Sequence, residues 1–176
     1  FENTYIPGHL TGDEIGLYLN KVLKGRDWNS KDVFKFTLTD TDNNTSKEIQ
    51  TDTNHRSVNI FAEEKFIEGE YHYELKEQIE NSSKMLYDDS VYNITIFVAK
   101  DDNDALVAKV TVADAEGKIV TETETAQQCN VQVEFVNTYI PYSVATGDNF
   151  AVFRWASLFI LSGIALVWLR KKAYRC

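Results

Sequence analysis

Apolar and polar positions alternate through the middle of the chain, and this pattern predicts a series of short β-strands. Clusters of glycine, aspartate and asparagine separate them, as expected for turns. The predicted strands cover residues 15–23, 33–39, 57–61, 71–77, 91–98, 106–112 and 130–139. We expect a loop in the polar stretch 40–54 and short helical turns within 62–67 and 78–86. Seven such strands predict an all-β fold, an immunoglobulin-like sandwich of two sheets.

The last apolar stretch of the chain shows no such alternation. Residues 151–169 are apolar except for one arginine and two serines. As a helix they would extend for about 28 Å, which is enough to cross a membrane. Four basic residues follow within 170–176. Their position predicts a transmembrane helix with a cytoplasmic tail and places the sandwich outside the cell.

Charge and cysteine content exclude several classes of protein. The chain has 27 acidic and 18 basic residues and a net charge of -9, so nucleic acid is not an expected partner. Cys129 and Cys176 would lie on opposite sides of the membrane, which leaves no intrachain disulfide. His9, His55 and His72 lack the spacing of a metal site. We therefore expect neither a metal nor a cofactor.

A heptapeptide occurs twice in the chain. The sequence FENTYIP at residues 1–7 returns as FVNTYIP at residues 135–141, with six of seven positions identical. Repetition at about one domain length predicts tandem domains that end in this heptapeptide. Residues 1–10 are accordingly expected to close a preceding repeat, and residues 11–142 to form the sandwich.

Three polar residues fall on the apolar faces of predicted strands. Because side chains alternate across a strand, residues of equal parity share a face. Lys21 shares the parity of the leucines in the first strand, Glu77 that of the tyrosines in the fourth, and Asn137 that of the valines in the last. An unpaired buried ammonium or carboxylate is costly, so each should become neutral or find a partner.

These three side chains could react with one another. Burial lowers the pKa of Lys21 and raises the pKa of Glu77, which favours a neutral amine beside a protonated acid. The amine could displace ammonia from Asn137 and form an amide, while the acid polarises the carbonyl and carries protons. In the alternative, Lys21 and Glu77 reach solvent from the ends of their strands and Asn137 begins a turn. Lys24, of opposite parity, is the rival lysine.

Three segments carry a family resemblance. NKVLKGR at 20–26, YELKE at 73–77 and FVNTY at 135–139 together resemble the isopeptide-linkage domains of Gram-positive pilins and surface adhesins. The resemblance covers about residues 14–141 and implies a Cna-B-like sandwich. It implies Lys21 as the reactive lysine, Glu77 as the catalytic acid and Asn137 as the acceptor. By the same match, Asn3 would react with a lysine of the preceding domain.

The segment before the apolar stretch resembles a cell-wall sorting signal. Thr146 and Gly147 are followed by a short polar spacer, an apolar span and a basic end. The resemblance implies that a sortase cleaves between Thr146 and Gly147, within a linker at residues 143–150. Ser143 and Val144 depart from the usual Leu-Pro-any-Thr-Gly pattern, and the alternative is a plain membrane anchor.

Together these features predict a structural protein of the extracellular cell surface, either a pilus subunit or an adhesin stalk. Its crosslinking would occur once per molecule, so the chain is not expected to be an enzyme. Expected partners are a sortase, cell-wall peptidoglycan or neighbouring pilin subunits, and the membrane through residues 151–169. The alternative function is a surface module that binds host glycan or protein. A hydrolase is not supported, because the sequence offers no nucleophile-base set.

Overall fold

The chain divides into two units, Phe1–Pro141 and Tyr142–Cys176, and a computed structural model describes residues 8–141. Between these limits, no helix has both the length and the apolar character needed to cross a membrane. Several features predicted from the sequence lie outside the described residues: the heptapeptide 1–7 with Asn3, the linker 143–150 with the Thr146-Gly147 pair, the apolar segment 151–169 and the basic tail 170–176.

Strands dominate the described residues, which confirms the prediction of an all-β fold. One short helix, α1 (Gly12–Ile15), precedes the first long strand. The strands are β1 (Leu10–Thr11), β2 (Leu17–Lys24), β3 (Val33–Asp40), β4 (Thr45–Asp52), β5 (Ser57–Asn59), β6 (Lys65–Phe66), β7 (Gly69–Glu77), β8 (Met85–Leu86), β9 (Val91–Lys100), β10 (Leu106–Ala113), β11 (Ile119–Glu122) and β12 (Val131–Tyr139).

Two main sheets form the body of the domain. The larger sheet has six strands in the order β11-β10-β9-β7-β3-β4, and every neighbouring pair is antiparallel. The smaller sheet has the order β5-β2-β12-β8. Its central pair, β2 and β12, is parallel, so the first and last long strands of the domain run side by side in the same direction.

The inner faces of these two sheets meet in one apolar core. The ring centroids of Phe36 on β3 and Phe135 on β12 lie 5.0 Å apart, which places an aromatic contact between the sheets. Leu17, Leu19 and Val133 from the smaller sheet are also buried. Because alternate residues of β2, β7 and β12 point into this core, any polar residue of the same parity must enter it as well.

The residues before β2 form a helical turn, whereas a strand was predicted from residue 15. Thr11 caps this turn: its side chain accepts a hydrogen bond from the Glu14 amide at 3.4 Å, and the Glu14 carboxylate accepts one from the Thr11 amide at 2.6 Å. Gly16 ends the turn in the left-handed conformation. The Thr-any-any-Glu sequence is typical of such a capping box.

The loop prediction for residues 40–54 was wrong in part: residues 41–44 form a turn, but β4 (Thr45–Asp52) occupies most of the stretch. Only Ile49 and Thr51 of β4 are buried, so this edge strand has too few apolar positions to show the alternation. The expected helical turns within 62–67 and 78–86 were also wrong in part, since those stretches contain the two-residue strands β6 and β8. Strand β11, at the opposite edge, was not predicted.

Candidate functional site

Lys21 lies in the fifth position of β2 and points into the core. Its residue is 2% exposed, and its amine lies 4.9 Å from the ring centroid of Phe34 and 5.7 Å from that of Phe36. These rings belong to β3 of the opposite sheet and provide an apolar wall around the amine. Lys24, the rival lysine, is exposed.

Glu77 is the last residue of β7, in the larger sheet, and lies opposite Phe36 in the pairing of β7 with β3. It is 6% exposed. Its two oxygens have different partners: Oε2 accepts a hydrogen bond from Lys21 Nζ at 2.7 Å, and Oε1 accepts one from Asn137 Nδ2 at 2.6 Å. A single carboxylate from the larger sheet therefore contacts both the amine and the carboxamide, which belong to the smaller sheet.

Asn137 is fully buried on β12. In the parallel pairing, Lys21 lies opposite Phe135 and Asn137 lies opposite Leu23, so Lys21 and Asn137 are on adjacent strands and point to the same face. The Asn137 carbonyl oxygen accepts a hydrogen bond from the backbone amide of Asp88 at 2.8 Å. That contact defines the orientation of the carboxamide, because a backbone amide can only donate.

Burial shifts the pKa values of Lys21 and Glu77 in opposite directions. Removal from water lowers the pKa of Lys21 and raises the pKa of Glu77, while the hydrogen bond and the attraction between the two groups oppose both changes. Both directions favour proton transfer from the ammonium to the carboxylate, which converts the ion pair into a neutral amine and a carboxylic acid. A neutral amine is the nucleophilic form.

The structure thus brings together the three side chains that strand parity placed on apolar faces: Lys21, Glu77 and Asn137. One detail differs from the sequence-based expectation, in which the acid polarises the Asn137 carbonyl. Glu77 contacts the amide nitrogen instead, which suits it to protonate the leaving group, and the carbonyl oxygen receives its hydrogen bond from Asp88.

Asp88 is the member of the site for which the sequence suggested no role. It follows β8 in an irregular stretch, where no strand alternation indicates which way a side chain points. The sequence around it, from Tyr87 to Tyr92, lies within the range of about 14–141 that carries the family resemblance, but spacing alone connects none of its residues to Asn137.

A second set of contacts joins the ends of β2 and β12 beyond the site. The Arg26 guanidinium donates two hydrogen bonds to Asp32, at 2.7 and 2.6 Å, and lies 4.8 Å from the ring centroid of Tyr139. The bidentate pair raises the pKa of Arg26 and lowers the pKa of Asp32. Gly25, with φ of +86°, lies directly against the Tyr139 carbonyl.

Other candidate chemistry is sparse in the domain. Within residues 8–141, no cluster of three or more histidine, cysteine, aspartate or glutamate side chains is arranged to hold a metal ion. His55 and His72 form hydrogen bonds with Asp52 and Asp42, respectively. Cys129 is buried and free.

Comparisons with known proteins point to one family. The profile of the family described as "FctA: Spy0128-like isopeptide containing domain" matches residues 17–140. No match is found among curated proteins.

Solved structures similar to the chain include major pilins of Streptococcus pyogenes. An asparagine-to-alanine and a glutamate-to-alanine variant of the major pilin match with TM-scores of 0.39 and 0.40; each is 15% identical, and the match covers 76% of this chain and 51% of the pilin. The major pilin T-13 matches with a TM-score of 0.41 and 15% identity, over 76% of this chain and 54% of that pilin. The chain therefore spans about half the length of these pilins.

Proposed function

The chain belongs to the family of Spy0128-like isopeptide containing domains, and we propose that it is a structural pilus subunit with a covalent amide between Lys21 and Asn137. The single observation that carries this proposal is the buried Glu77 carboxylate, which contacts Lys21 Nζ at 2.7 Å and Asn137 Nδ2 at 2.6 Å. The subunit performs this reaction once and has no further turnover, so it is not an enzyme in the usual sense.

The reaction begins with proton transfer from the Lys21 ammonium to Glu77. The neutral amine attacks the Asn137 side-chain carbonyl carbon, a new C–N bond forms, and negative charge develops on Oδ1. Glu77 then donates its proton to Nδ2 and accepts one from the attacking nitrogen. The bond from the carbonyl carbon to Nδ2 breaks, and ammonia leaves. The products are an uncharged Lys21–Asn137 amide and one ammonia, so no oxidant or cofactor is required.

This amide would change how the domain carries a load. Because β2 and β12 are parallel neighbours, tension applied at the two ends of the domain would shear one strand past the other. With the amide in place, force would pass from the start of β2 to Lys21, across the covalent bond to Asn137, and out through the end of β12. The chain between residues 22 and 136 would then be protected from unfolding under tension.

The domain arrangement belongs to the same proposal. Residues 11–142 form an isopeptide-linked immunoglobulin-like sandwich of Cna-B type, a class favoured by the two packed sheets. Residues 1–10 would belong to a preceding repeat, and Asn3 would pair with a lysine of that repeat. Residues 143–150 form a sorting linker cleaved between Thr146 and Gly147, ahead of a transmembrane helix and a basic tail. Adjacent pilin subunits or peptidoglycan would receive the new carboxyl end from a sortase.

Intact mass tests the amide directly. The purified full chain should be lighter than its sequence by one ammonia, whereas Lys21→Ala, Glu77→Ala and Asn137→Ala should have the masses of their sequences. Lys24→Ala and Glu134→Gln, at exposed positions of β2 and β12, are matched controls and should still lose ammonia. Ammonia loss in Glu77→Ala would remove that carboxylate from the mechanism.

Cell-wall extracts test the role as a pilus subunit. We expect an antibody against residues 8–141 to detect a ladder of high-mass species that resists boiling in detergent. The ladder should collapse to single subunits when Thr146 and Gly147 are replaced together. A single band at the mass of one subunit, both in cells with the natural sequence and in cells with Thr146 and Gly147 replaced, would contradict sortase-dependent assembly and favour a plain membrane anchor.

A further inference from the structure

The pairing of β8 with β12 ends at Leu86 and Thr138, one residue short of the reactive asparagine. Thr138 pairs with Leu86 and Tyr139 pairs with Met85, and the Ile140 amide donates to the Lys84 carbonyl. Continuing this antiparallel register by two residues would place Asp88 opposite Val136. In a regular ladder, two such residues exchange backbone hydrogen bonds.

Asp88 replaces both backbone bonds of that ladder position with side-chain bonds. Its Oδ2 accepts the hydrogen bond of the Val136 amide at 2.7 Å. Its own amide, released from the ladder, donates instead to the Asn137 carbonyl oxygen at 2.8 Å. One residue therefore holds the strand immediately before Asn137 and also contacts the carbonyl that undergoes attack.

We propose that Asp88 is a positioning residue for crosslink formation: its carboxylate holds Val136 and thereby aims the Asp88 backbone amide at the Asn137 carbonyl oxygen. This inference rests on the proposed Lys21–Asn137 amide and assigns a further residue to it. In the tetrahedral intermediate the bond from Lys21 Nζ has formed and Oδ1 carries the negative charge. A backbone amide within hydrogen-bonding distance of that oxygen stabilises the charge as an oxyanion-hole donor does.

The position requires a carboxylate. Oδ1 of Asp88 accepts a hydrogen bond from the Ser90 amide at 3.0 Å while Oδ2 accepts the one from Val136. Both partners are donors, so both side-chain atoms must be acceptors, and an asparagine could satisfy only one of them. Burial tends to raise the pKa of Asp88, but the hydrogen bonds from Ser90 and Val136 outweigh it and hold the pKa below its ordinary value.

The test measures the rate of ammonia loss in the folded chain. Full-length protein is recovered unfolded from insoluble expression, diluted into buffer, and sampled for intact mass after tryptophan fluorescence shows that folding is complete. We expect Asp88→Ala to slow ammonia loss by about a hundredfold, as when an oxyanion donor is misplaced. Asp88→Asn keeps one acceptor and should recover part of the rate. Asp89→Asn, at the exposed neighbour, should react as fast as the natural sequence.

The outcomes separate this inference from the proposed function. If the natural sequence loses no ammonia, the amide itself is disproved, and the role of Asp88 with it. If the natural sequence reacts, and the folded variants Asp88→Ala and Asp88→Asn both react as fast as the natural sequence, only the role of Asp88 is overturned. If Asp88→Ala does not fold, the folded Asp88→Asn variant decides by its rate. Failure of both variants to fold would make Asp88 a purely structural residue and would also overturn the inference.

Discussion

Asn137 lies two residues beyond Phe135, the residue that pairs with Lys21 across the parallel strands β2 and β12. This offset places the lysine and the asparagine on the same inward face, one step apart along the strand direction. A lysine side chain is long enough to reach forward over that step. The amine and the carboxamide both meet Glu77, which arrives from the opposite sheet. The site thus depends both on the register of β2 with β12 and on the packing of the larger sheet against them.

Loss of the amide should lower the stability of the domain substantially. The bond would close a loop of roughly 115 residues, and by analogy with a disulfide such a loop contributes about 4 to 5 kcal/mol by restricting the unfolded chain. We expect Lys21→Met to lose that amount in the free energy of unfolding measured with denaturant, while Glu77 stays neutral by keeping its proton. Lys24→Met is the matched control. Equal unfolding midpoints for Lys21→Met and the natural sequence would contradict the prediction.

Glu77→Gln should leave Lys21 buried opposite an uncharged side chain. Neither this variant nor the double variant Lys21→Met/Glu77→Gln can form the amide by the proposed route. The difference between their free energies of unfolding therefore measures the effect of the buried amine alone. We expect the single variant to be less stable by about 3 kcal/mol near neutral pH.

The pH dependence of that difference has a definite sign. Burial lowers the pKa of Lys21 in the folded state, so the folded Glu77→Gln variant binds fewer protons than the unfolded chain. Its stability should rise with pH until the unfolded lysine also loses its proton, and should fall as pH drops through the folded pKa. The difference in free energy of unfolding between this variant and the double variant should therefore become smaller at high pH. A difference that does not change with pH would show that Lys21 is not buried with a lowered pKa.

The rate of crosslinking should change little with pH through the neutral range. The ion pair and the reactive neutral pair of Lys21 and Glu77 contain the same number of protons, so pH does not change their ratio. Acid should stop the reaction by protonating both groups, and alkali should stop it by removing the proton that Glu77 gives to the leaving group. Refolding the unfolded chain at different pH values and following intact mass measures this profile. A steady tenfold rise per pH unit would contradict it.

Gly25→Ala should disturb the junction beyond the site. Gly25 has φ of +86°, and a Cβ there would overlap the Tyr139 carbonyl oxygen. Gly117 has a similar φ of +81° but no atom within 4 Å of the added carbon. Gly117→Ala therefore reports backbone strain alone, about 1 kcal/mol. In a Lys21→Met background, Gly25→Ala should lower the midpoint of thermal unfolding clearly more than Gly117→Ala does. Equal decreases in the two variants would mean that the backbone at Tyr139 can move to make room for the added carbon without loss of stability.

Strand parity was informative where a strand has a continuous apolar face. The leucines of β2 and the valines of β12 define such faces, and Lys21 and Asn137 are buried on them. Edge strands gave a weaker signal: β4 buries only Ile49 and Thr51, and its remaining side chains are polar because they face solvent. The same reasoning explains why β11, with Ile119 and Val120 about half exposed, was not predicted.

Neighbour relationships between distant strands could not be read from one sequence. Nothing in the alternation of β2 or β12 indicates that the two strands are parallel neighbours, although their pairing brings Lys21 and Asn137 together. Asp88 illustrates the same limit for irregular chain. Its role depends on the place where β8 leaves β12, and a single aspartate after a two-residue strand has no periodicity to mark it.

Tandem mass spectrometry of a tryptic digest of the full chain tests the central claim most directly. The account predicts one branched peptide in which the segment containing Lys21 is joined to the segment containing Asn137, with a combined mass lower by one ammonia and fragments that locate the branch at these two residues. Recovery of both segments only as unlinked peptides, or a branch at Lys24, would contradict it.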